Sequence, residues 1–263
     1  DVFALQYAQN ALFRSFADRL GRPPDRFIGM TDLPFLPISL FKQELVKTGD
    51  FTPERIFESS GTTGITTSRH AVRDLSIYDD QLLHNFERVY GLVGDWCILA
   101  LLPSYLERGN SSLVYMVEQL IQRGGHPDSG FYLNEWDSLI AQLEKGERQN
   151  RKTLLIGVGF ALLDLADRYQ GVFKHTTVLE TGGMKGRRRE WIREELHGHL
   201  AQCFGVDKIH SEYGMTELLS QAYSLGDGIF ECPPWMRVLV REEEDPLSYK
   251  TVGRGLINVI DLA

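Results

Sequence analysis

Residues 152–158, which read KTLLIGV, decide how the middle of the chain is expected to fold. A short, continuous apolar run of this kind is typical of a strand that is buried on both faces, as strands of parallel sheets are. A second such run, WCILALL, occupies residues 96–102. The two runs therefore predict neighbouring strands of a sheet that is covered by helices on both sides.

Helical and strand patterns alternate on either side of these two runs. The helical periodicity and the Gly stop signals predict helices at residues 72–94, 111–125, 136–148, 161–171 and 187–205. Further strands are predicted at residues 176–183 (TTVLETGG) and 207–214 (DKIHSEYG). Strands that alternate with helices of this length indicate an α/β fold with a parallel, two-sided sheet.

The two ends of the chain have a different character. At the start, the pattern predicts a helix over Phe3–Leu20, then an irregular stretch with a short helix around Phe41–Lys47. Near the end, Asp227-Gly228 lies between extended stretches and predicts antiparallel β structure. The expected organisation is a helical and irregular part over about residues 1–55, an α/β core over about 56–225 and a β portion over about 226–263.

Composition excludes several classes of partner. The 263 residues are 43% hydrophobic, enough to bury the core of one large domain or two smaller ones. The formal net charge of −8 argues against binding to nucleic acid or to an anionic membrane, because both demand a basic face. The most apolar stretch, Thr153–Ala166, is shorter than the ~20 residues of a membrane span, and no secretory signal opens the chain. A cytoplasmic location is expected.

Cysteine and histidine do not form a recognisable framework. Cys97, Cys203 and Cys232 are odd in number and scattered, which indicates reduced thiols. His197 and His199 are two positions apart in a helical pattern, so they are expected on different sides of that helix and not on one metal ion.

A run of small residues precedes the sheet, and its members are Ser59, Ser60, Gly61, Thr62, Thr63 and Gly64. Backbone N–H groups and hydroxyls in such a run can hold a phosphate, although an exposed turn has the same composition. It is not a Walker A loop, because no lysine occurs between Gly64 and Lys145. From this run alone, both interpretations stay open.

Two further motifs follow predicted strands, and ligands of open α/β sheets bind beyond the carboxyl ends of strands. In YGMTE (residues 213–217), the aromatic ring can stack on a purine, the hydroxyl can bind a phosphate and the carboxylate can hold a divalent cation. The alternative is a strand-to-helix turn in which Glu217 only complements a helix dipole. ETGGMKG (residues 180–186) is a second candidate, or merely a tight strand exit.

The three motifs, taken in this order, resemble those of the adenylate-forming enzymes, which include acyl-CoA synthetases, peptide-synthetase adenylation domains and firefly-type luciferases. Stretches such as LPFLPISLFK, SRHAVRDLSIYDD, LLPSYLERGNSSLVYM, SEYGMTELLSQAY and PPWMRVLVR are similar to the acyl-protein synthetase (LuxE-like) branch, a relative of phenylacetate-CoA ligases. The resemblance covers residues 33–263 and implies the large N-terminal domain of such an enzyme.

The resemblance assigns a role to each motif. It implies that Ser59–Gly64 surrounds the β- and γ-phosphates of ATP and that Tyr213 lies against the adenine. Thr216 would bind the α-phosphate, and Glu217 would hold Mg²⁺. The remaining nucleotide-binding positions that it implies are Gly182, Gly183, Met184, Gly214 and Met215.

The implied activity is ATP-dependent activation of a carboxylic acid, fatty or otherwise hydrophobic, to an acyl-adenylate with release of pyrophosphate. The acyl group would then pass to a thiol, either of an acceptor or carrier protein or of coenzyme A. A non-catalytic nucleotide or acyl-adenylate binder is the alternative from another class.

This chain also departs from the family pattern. The loop lacks the usual lysine, for which Arg69 is a candidate substitute. The ribose-binding aspartate and the mobile lid with its catalytic lysine are expected beyond Ala263, and none of the three cysteines matches the acyl-accepting cysteine of acyl-protein synthetases. Asp261 does not take the ribose role, because NVIDLA reads as a strand upstream of that motif.

Overall fold

A computed structural model describes residues 2–59, 66–103, 109–182, 191–245 and 247–263. The chain divides into two compact units. Unit 1 comprises Asp1–Tyr78, Met215–Leu219 and Pro233–Ala263, and unit 2 comprises Asp79–Gly214 and Ser220–Cys232. The chain thus passes from one unit to the other inside the YGMTE motif.

The helices of the described residues are α1 (Val2–Gln9), α2 (Ala11–Arg19), α3 (Leu40–Gln43), α4 (Leu75–Tyr90), α5 (Ser112–Gly124), α6 (Trp136–Arg148), α7 (Gly159–Ala166) and α8 (Arg193–Phe204). The strands are β1 (Arg55–Glu58), β2 (Arg69–Val72), β3 (Cys97–Leu101), β4 (Gly130–Phe131), β5 (Thr153–Gly157), β6 (Thr176–Thr181), β7 (His210–Tyr213), β8 (Ala222–Ser224), β9 (Met236–Arg241), β10 (Tyr249–Lys250) and β11 (Leu256–Asp261).

Unit 2 is built on a six-stranded sheet in the order β4-β3-β5-β6-β7-β8. The first five strands are parallel and β8 runs antiparallel to β7. All residues of β3 and β5 are buried, as expected for central strands with helices on both faces. The predicted mostly parallel sheet flanked by helices is confirmed.

Local signals in the sequence account for several helix ends in unit 2. The Ser111 hydroxyl caps α5 by accepting from the N–H of Val114, and Gly125 ends that helix with φ at +64°. Gly205 ends α8 in the same left-handed conformation, with φ at +60°. Only glycine adopts this conformation without strain, so the predicted helix ends at Gly125 and Gly205 are confirmed. The helices predicted to reach residues 94 and 171 end earlier, at Tyr90 and Ala166.

The first predicted helix is wrong in one respect, because Phe3–Leu20 forms two helices. Asn10 separates α1 from α2 with a non-helical backbone, and its side chain accepts from the N–H of Phe13. Asparagine is a strong N-cap residue, so it starts α2 where the apolar periodicity alone predicts no interruption. The short helix predicted at Phe41–Lys47 is present as α3, shifted towards the N-terminus.

Unit 1 contains two separate antiparallel sheets. β1 and β2 form a hairpin, and β9 pairs with both β10 and β11. These strands confirm the antiparallel portion near the C-terminus. The Asp227-Gly228 turn lies in unit 2, where both residues have positive φ and Tyr223 bridges to Glu231 in antiparallel fashion.

No helix among the described residues is both long enough and apolar enough to cross a membrane. Cys97 is fully buried in β3, and burial raises the pKa of its thiol. A raised pKa disfavours the thiolate, which is the reactive form of cysteine.

Candidate nucleotide site

The predicted site residues fall in both units. Gly182, Tyr213 and Gly214 belong to unit 2, whereas Ser59, Met215, Thr216 and Glu217 belong to unit 1. Ser60, Gly61, Thr62, Thr63, Gly64, Gly183 and Met184 lie outside the described residues.

In unit 2, Gly182 and Tyr213 lie at the carboxyl ends of neighbouring parallel strands. Thr181 of β6 is paired in register with Glu212 of β7, so Gly182 and Tyr213 are the next residues along each strand. Apart from Gly182 and its two chain neighbours, no atom of the described residues lies within 4 Å of the place where a Cβ of Gly182 would be. Within the described part of the chain, nothing therefore blocks the approach of a ligand to this backbone.

The ring of Tyr213 is half-exposed at the same sheet edge. It meets Phe230 edge to face, with centroids 6.2 Å apart and ring planes at 71°. Phe230 in turn lies under the guanidinium of Arg193, 5.0 Å from the ring centroid. This edge-to-face contact restricts the orientation of the Tyr213 ring, whose face is the one expected to stack on a purine.

Glu212 is a buried acid directly before Tyr213. Its side chain is only 8% exposed, and burial, together with the nearby Glu180 carboxylate, raises the pKa of Glu212 to about 8. The same environment acts on Tyr90, because burial and the Glu212 carboxylate both raise the pKa of its phenol. Glu212 is accordingly neutral near pH 7.

Gly214 is required by the position of Glu212. A Cβ on residue 214 would lie 2.5 Å from the Glu212 carboxyl oxygen and 3.6 Å from Cγ of Gln221. The glycine in YGMTE is therefore explained by a close approach to a buried carboxyl group.

Replacing Gly214 by alanine should destabilise the chain by about 1–3 kcal/mol, because the added methyl group must displace the buried Glu212 side chain. Urea unfolding of Gly214→Ala, Glu212→Ala and the double variant measures this. The double variant is expected to be less destabilised than the sum of the two single changes, since shortening Glu212 removes the clash. Strictly additive losses would show that the clash with Glu212 is not the cause.

His197 and His199 lie on different sides of α8, as predicted. Nε2 of His197 is 3.7 Å from the Glu180 carboxylate and 3.5 Å from the Ser211 hydroxyl. His199 instead contacts the Trp191 ring, with centroids 5.3 Å apart, and approaches Cys203 at 3.7 Å. Among the described residues, no group of three or more His, Cys, Asp or Glu side chains could hold a metal ion.

In unit 1, the hairpin β1–β2 forms the stem of the Ser/Thr/Gly loop. The backbone N–H of Ser59 donates to the Ser68 carbonyl at 3.0 Å, and the N–H of Ser68 donates to the Ser59 hydroxyl at 2.9 Å. Arg69 lies in β2 opposite Glu58, on the described part of this stem. Ser59 therefore closes the hairpin and fixes where the loop leaves it.

Residues 215–219 form a turn, in which the Leu218 N–H donates to the Met215 carbonyl at 3.1 Å. No helix follows β7 in this described segment, so the alternative that Glu217 occupies a first helical turn is wrong. Thr216 and Glu217 are both half-buried in the turn. Its position is set by His70, whose Nδ1 is 2.9 Å from the Thr216 carbonyl, and by Asp261, which accepts from the Leu219 N–H at 2.9 Å.

Sequence reasoning missed three residues of this region. His70 and Asp261 act through contacts 146 and 42 positions away in the chain, which no local pattern reveals. The burial of Glu212 is not marked by an apolar pattern either, because β7 reads His-Ser-Glu-Tyr and only its two middle residues are buried. We did not predict a role for any of the three from the sequence.

No protein-family model matches the chain, and no curated protein matches it. Solved structures that are similar to it include the following three. The amide bond synthetase Mcba of Marinactinospora thermotolerans is 16% identical with a TM-score of 0.44, over 74% of this chain and 38% of that protein. The anthranilate CoA ligase AuaEII in complex with anthranoyl-AMP is 16% identical with a TM-score of 0.43, over 77% and 37%. An acyl-CoA synthetase of Brucella canis is 21% identical with a TM-score of 0.42, over 77% and 36%.

The chain thus spans well under half the length of each of these structures. The TM-scores are below 0.5, and the function proposed below is argued from the residues of this chain.

Proposed function

We propose that this chain is the nucleotide-binding part of an enzyme that uses ATP to activate a carboxylic acid as an acyl-adenylate. The observation that carries the proposal is the ordered set of three motifs, Ser59–Gly64, Gly182–Met184 and Tyr213–Glu217. It is supported in unit 2 by the positions of Gly182 and Tyr213 at neighbouring strand ends.

Each motif is proposed to act on a particular part of the nucleotide. In unit 2, the Tyr213 ring would lie against the adenine, with Gly182, Gly183 and Met184 forming the adjacent wall and Gly214 allowing close approach. In unit 1, Ser59–Gly64 would bind the β- and γ-phosphates, and Met215-Thr216 would place a hydroxyl on the α-phosphate. The loop has hydroxyls and amides but no lysine, so phosphate binding would depend on hydrogen bonds.

Glu217 would hold Mg²⁺. The described residues offer no cluster of three ligating side chains, but Mg²⁺ ordinarily binds nucleotides through one or two carboxylates, phosphate oxygens and water. A single half-buried carboxylate three residues after the exposed Gly214 and next to Thr216 fits that requirement. The bound ion would neutralise the charge that develops on the phosphates.

The proposed reaction requires no nucleophile from the protein. A carboxylate oxygen of the acid attacks the α-phosphorus, the bond between that phosphorus and the oxygen bridging to the β-phosphate breaks, and pyrophosphate leaves with the bonding electrons. The product is an acyl-adenylate, a mixed anhydride. A thiolate then attacks its acyl carbon and AMP leaves. The protein contributes positioning and charge stabilisation.

We further propose that the acid is fatty or otherwise hydrophobic and that the acceptor is a protein thiol, as in the acyl-protein synthetase branch that the sequence resembles. Coenzyme A is the alternative acceptor. Supplying an acceptor protein, a carrier-protein pantetheine and coenzyme A separately to preformed acyl-adenylate would distinguish them, because only the correct thiol should gain the acyl group.

Pyrophosphate release by the full-length protein, measured with Mg-ATP across a panel of carboxylic acids, tests the proposed activity. Release should depend on the acid and be greatest for hydrophobic acids. No release with any acid would contradict the proposal. Nucleotide binding in calorimetry without release would instead support a non-catalytic binder.

Replacing Ser60, Thr62 and Thr63 together by alanine should weaken ATP binding by on the order of 100-fold, because three hydroxyl hydrogen bonds to phosphate would be lost at about 1 kcal/mol each. Calorimetry with ATP and with AMP measures this. AMP affinity should change little, since AMP lacks the β- and γ-phosphates. Unchanged ATP affinity would show that the run is an ordinary exposed turn.

A further inference from the structure

His70 connects the stem of the Ser/Thr/Gly loop with the turn that carries Thr216 and Glu217, and all of these residues belong to unit 1. Its backbone lies in β2, paired in register with Phe57. Phe57 is fully buried, with its ring 5.4 Å from that of Tyr78. The backbone from which His70 projects is thus anchored in the core of the unit.

The hydrogen bond of His70 fixes which of its ring nitrogens carries the proton. Nδ1 is 2.9 Å from the Thr216 carbonyl, which can only accept, so Nδ1 must donate. Burial lowers the pKa of His70, against the opposing influences of the Thr216 carbonyl and the carboxylates of Glu217 and Asp261. The ring is therefore neutral at pH 7 and protonated on Nδ1.

The imidazole ring of His70 also packs against an aromatic ring. Phe41 meets it edge to face, with centroids 6.5 Å apart and planes at 88°. A ring with restricted rotation directs its Nδ1–H at one place, which is the Thr216 carbonyl. The bond thus specifies the position of the turn's backbone as well as pairing two polar groups.

The same turn is held at its other end. Asp261, at the end of β11, accepts from the Leu219 N–H and, through its second oxygen, from the Ala263 N–H at 3.2 Å. The segment containing Thr216 and Glu217 is therefore attached to a strand at each end. Of these two attachments, the one through His70 leads to the β1–β2 hairpin, whereas β11 belongs to the other sheet of unit 1.

We propose that His70 is a positioning residue that holds the Thr216–Glu217 turn to the β1–β2 hairpin through its Nδ1–H bond. This inference rests on the proposed function, in which the turn binds the α-phosphate and Mg²⁺. Catalysis of phosphoryl chemistry by positioning is sensitive to displacements of about 1 Å. A link between the two segments would therefore appear in the rate more than in the stability.

The alternative is that His70 only fills space beside Phe41. The two interpretations differ for substitutions that keep either the donor or the ring. Asparagine places an amide N–H near the position of Nδ1, whereas phenylalanine keeps the ring and removes the donor. His126 provides a histidine control in unit 2. Its Nδ1 accepts from the backbone N–H of Asp128 at 3.1 Å.

The experiment compares wild type, His70→Asn, His70→Phe and His126→Phe as full-length proteins in acid-dependent pyrophosphate release. We expect His70→Phe to lower kcat by about 10–100-fold with a smaller change in KM, and His70→Asn to restore most of the rate. His126→Phe should match the wild type.

Urea unfolding should show His70→Asn and His70→Phe to be similar in stability. If His70→Phe does not fold, His70→Leu takes its place as the donor-free variant, and unfolding of both would overturn the proposal in favour of a packing role.

The outcomes separate this inference from the proposed function. Equal rates for His70→Asn and His70→Phe would overturn the positioning role alone. No pyrophosphate release by the wild type would overturn the proposed function, and the positioning role with it. The hydrogen bond has its own readout, because the ¹⁵N spectrum of the wild-type histidines should show one ring protonated on Nδ1, absent from both His70 variants. A ring protonated on Nε2 would contradict the geometry on which the inference stands.

Discussion

Replacing Glu217 by glutamine is expected to lower kcat/KM for pyrophosphate release by about 10²–10³-fold, because the variant loses the one carboxylate proposed to hold Mg²⁺ beside the reacting phosphates. The amide keeps the shape of the side chain in its half-buried turn, so the fold should not change. Rates measured over a range of Mg²⁺ concentrations should show that the variant requires more of the ion.

Glu44→Gln is the matched control for this substitution. Glu44 is exposed at the end of α3, also in unit 1, and the same chemical change there should leave the rate and the Mg²⁺ requirement unaltered. If Glu217→Gln behaves like Glu44→Gln, the carboxylate of Glu217 is not a metal ligand.

Replacing Glu212 by glutamine is expected to remove a large pH dependence of stability. The pKa of Glu212 is about 8 in the folded chain, above its ordinary value of 4.5. The unfolded chain therefore releases this proton in a range where the folded chain retains it, and the free energy of unfolding falls as pH rises from 4.5 to 8. Glutamine is uncharged at every pH, like the protonated acid. The free energy of unfolding of Glu212→Gln therefore does not fall in this way as the pH rises.

Urea unfolding between about pH 4.5 and pH 9 measures the effect. The stability of Glu212→Gln relative to wild type should grow by on the order of 4 kcal/mol across that range. Glu195→Gln, on the exposed side of α8 in the same unit, should follow the wild-type curve. Parallel curves for Glu212→Gln and wild type would show that Glu212 is ionised in the folded chain.

Most of the fold of unit 2 could be predicted from the sequence because its signals are local. The runs at 96–102 and 152–158 contain β3 and β5, and the pattern at 136–148 matches α6 from end to end. Strand burial on both faces and glycine at helix ends are readable without knowledge of any distant contact.

Predictions failed where a local polar contact competes with a longer pattern. The apolar period runs through Phe3–Leu20, but the Asn10 side chain caps a new helix inside it. After β7, the charged residue at the expected helix start is in a turn, because the backbone there is held by contacts from β2 and β11.

The residues of the candidate site also differ in whether the sequence alone identifies them. The motif residues Tyr213, Gly214, Thr216 and Glu217 stand out because each residue type has a task that a nucleotide requires. His70 and Asp261, which hold the turn that contains Thr216 and Glu217, carry no such signal in the sequence. Their role depends on contacts between segments far apart in the chain, which one sequence without the fold does not reveal.

The most direct test of the central claim is to follow oxygen from the acid into AMP. A carboxylic acid labelled with ¹⁸O in its carboxylate is supplied with Mg-ATP and the full-length protein, and the AMP produced is analysed by mass spectrometry. Attack of the carboxylate on the α-phosphorus predicts AMP that carries one ¹⁸O atom for each acid activated. Unlabelled AMP, or release of ADP and phosphate in its place, would contradict the formation of an acyl-adenylate.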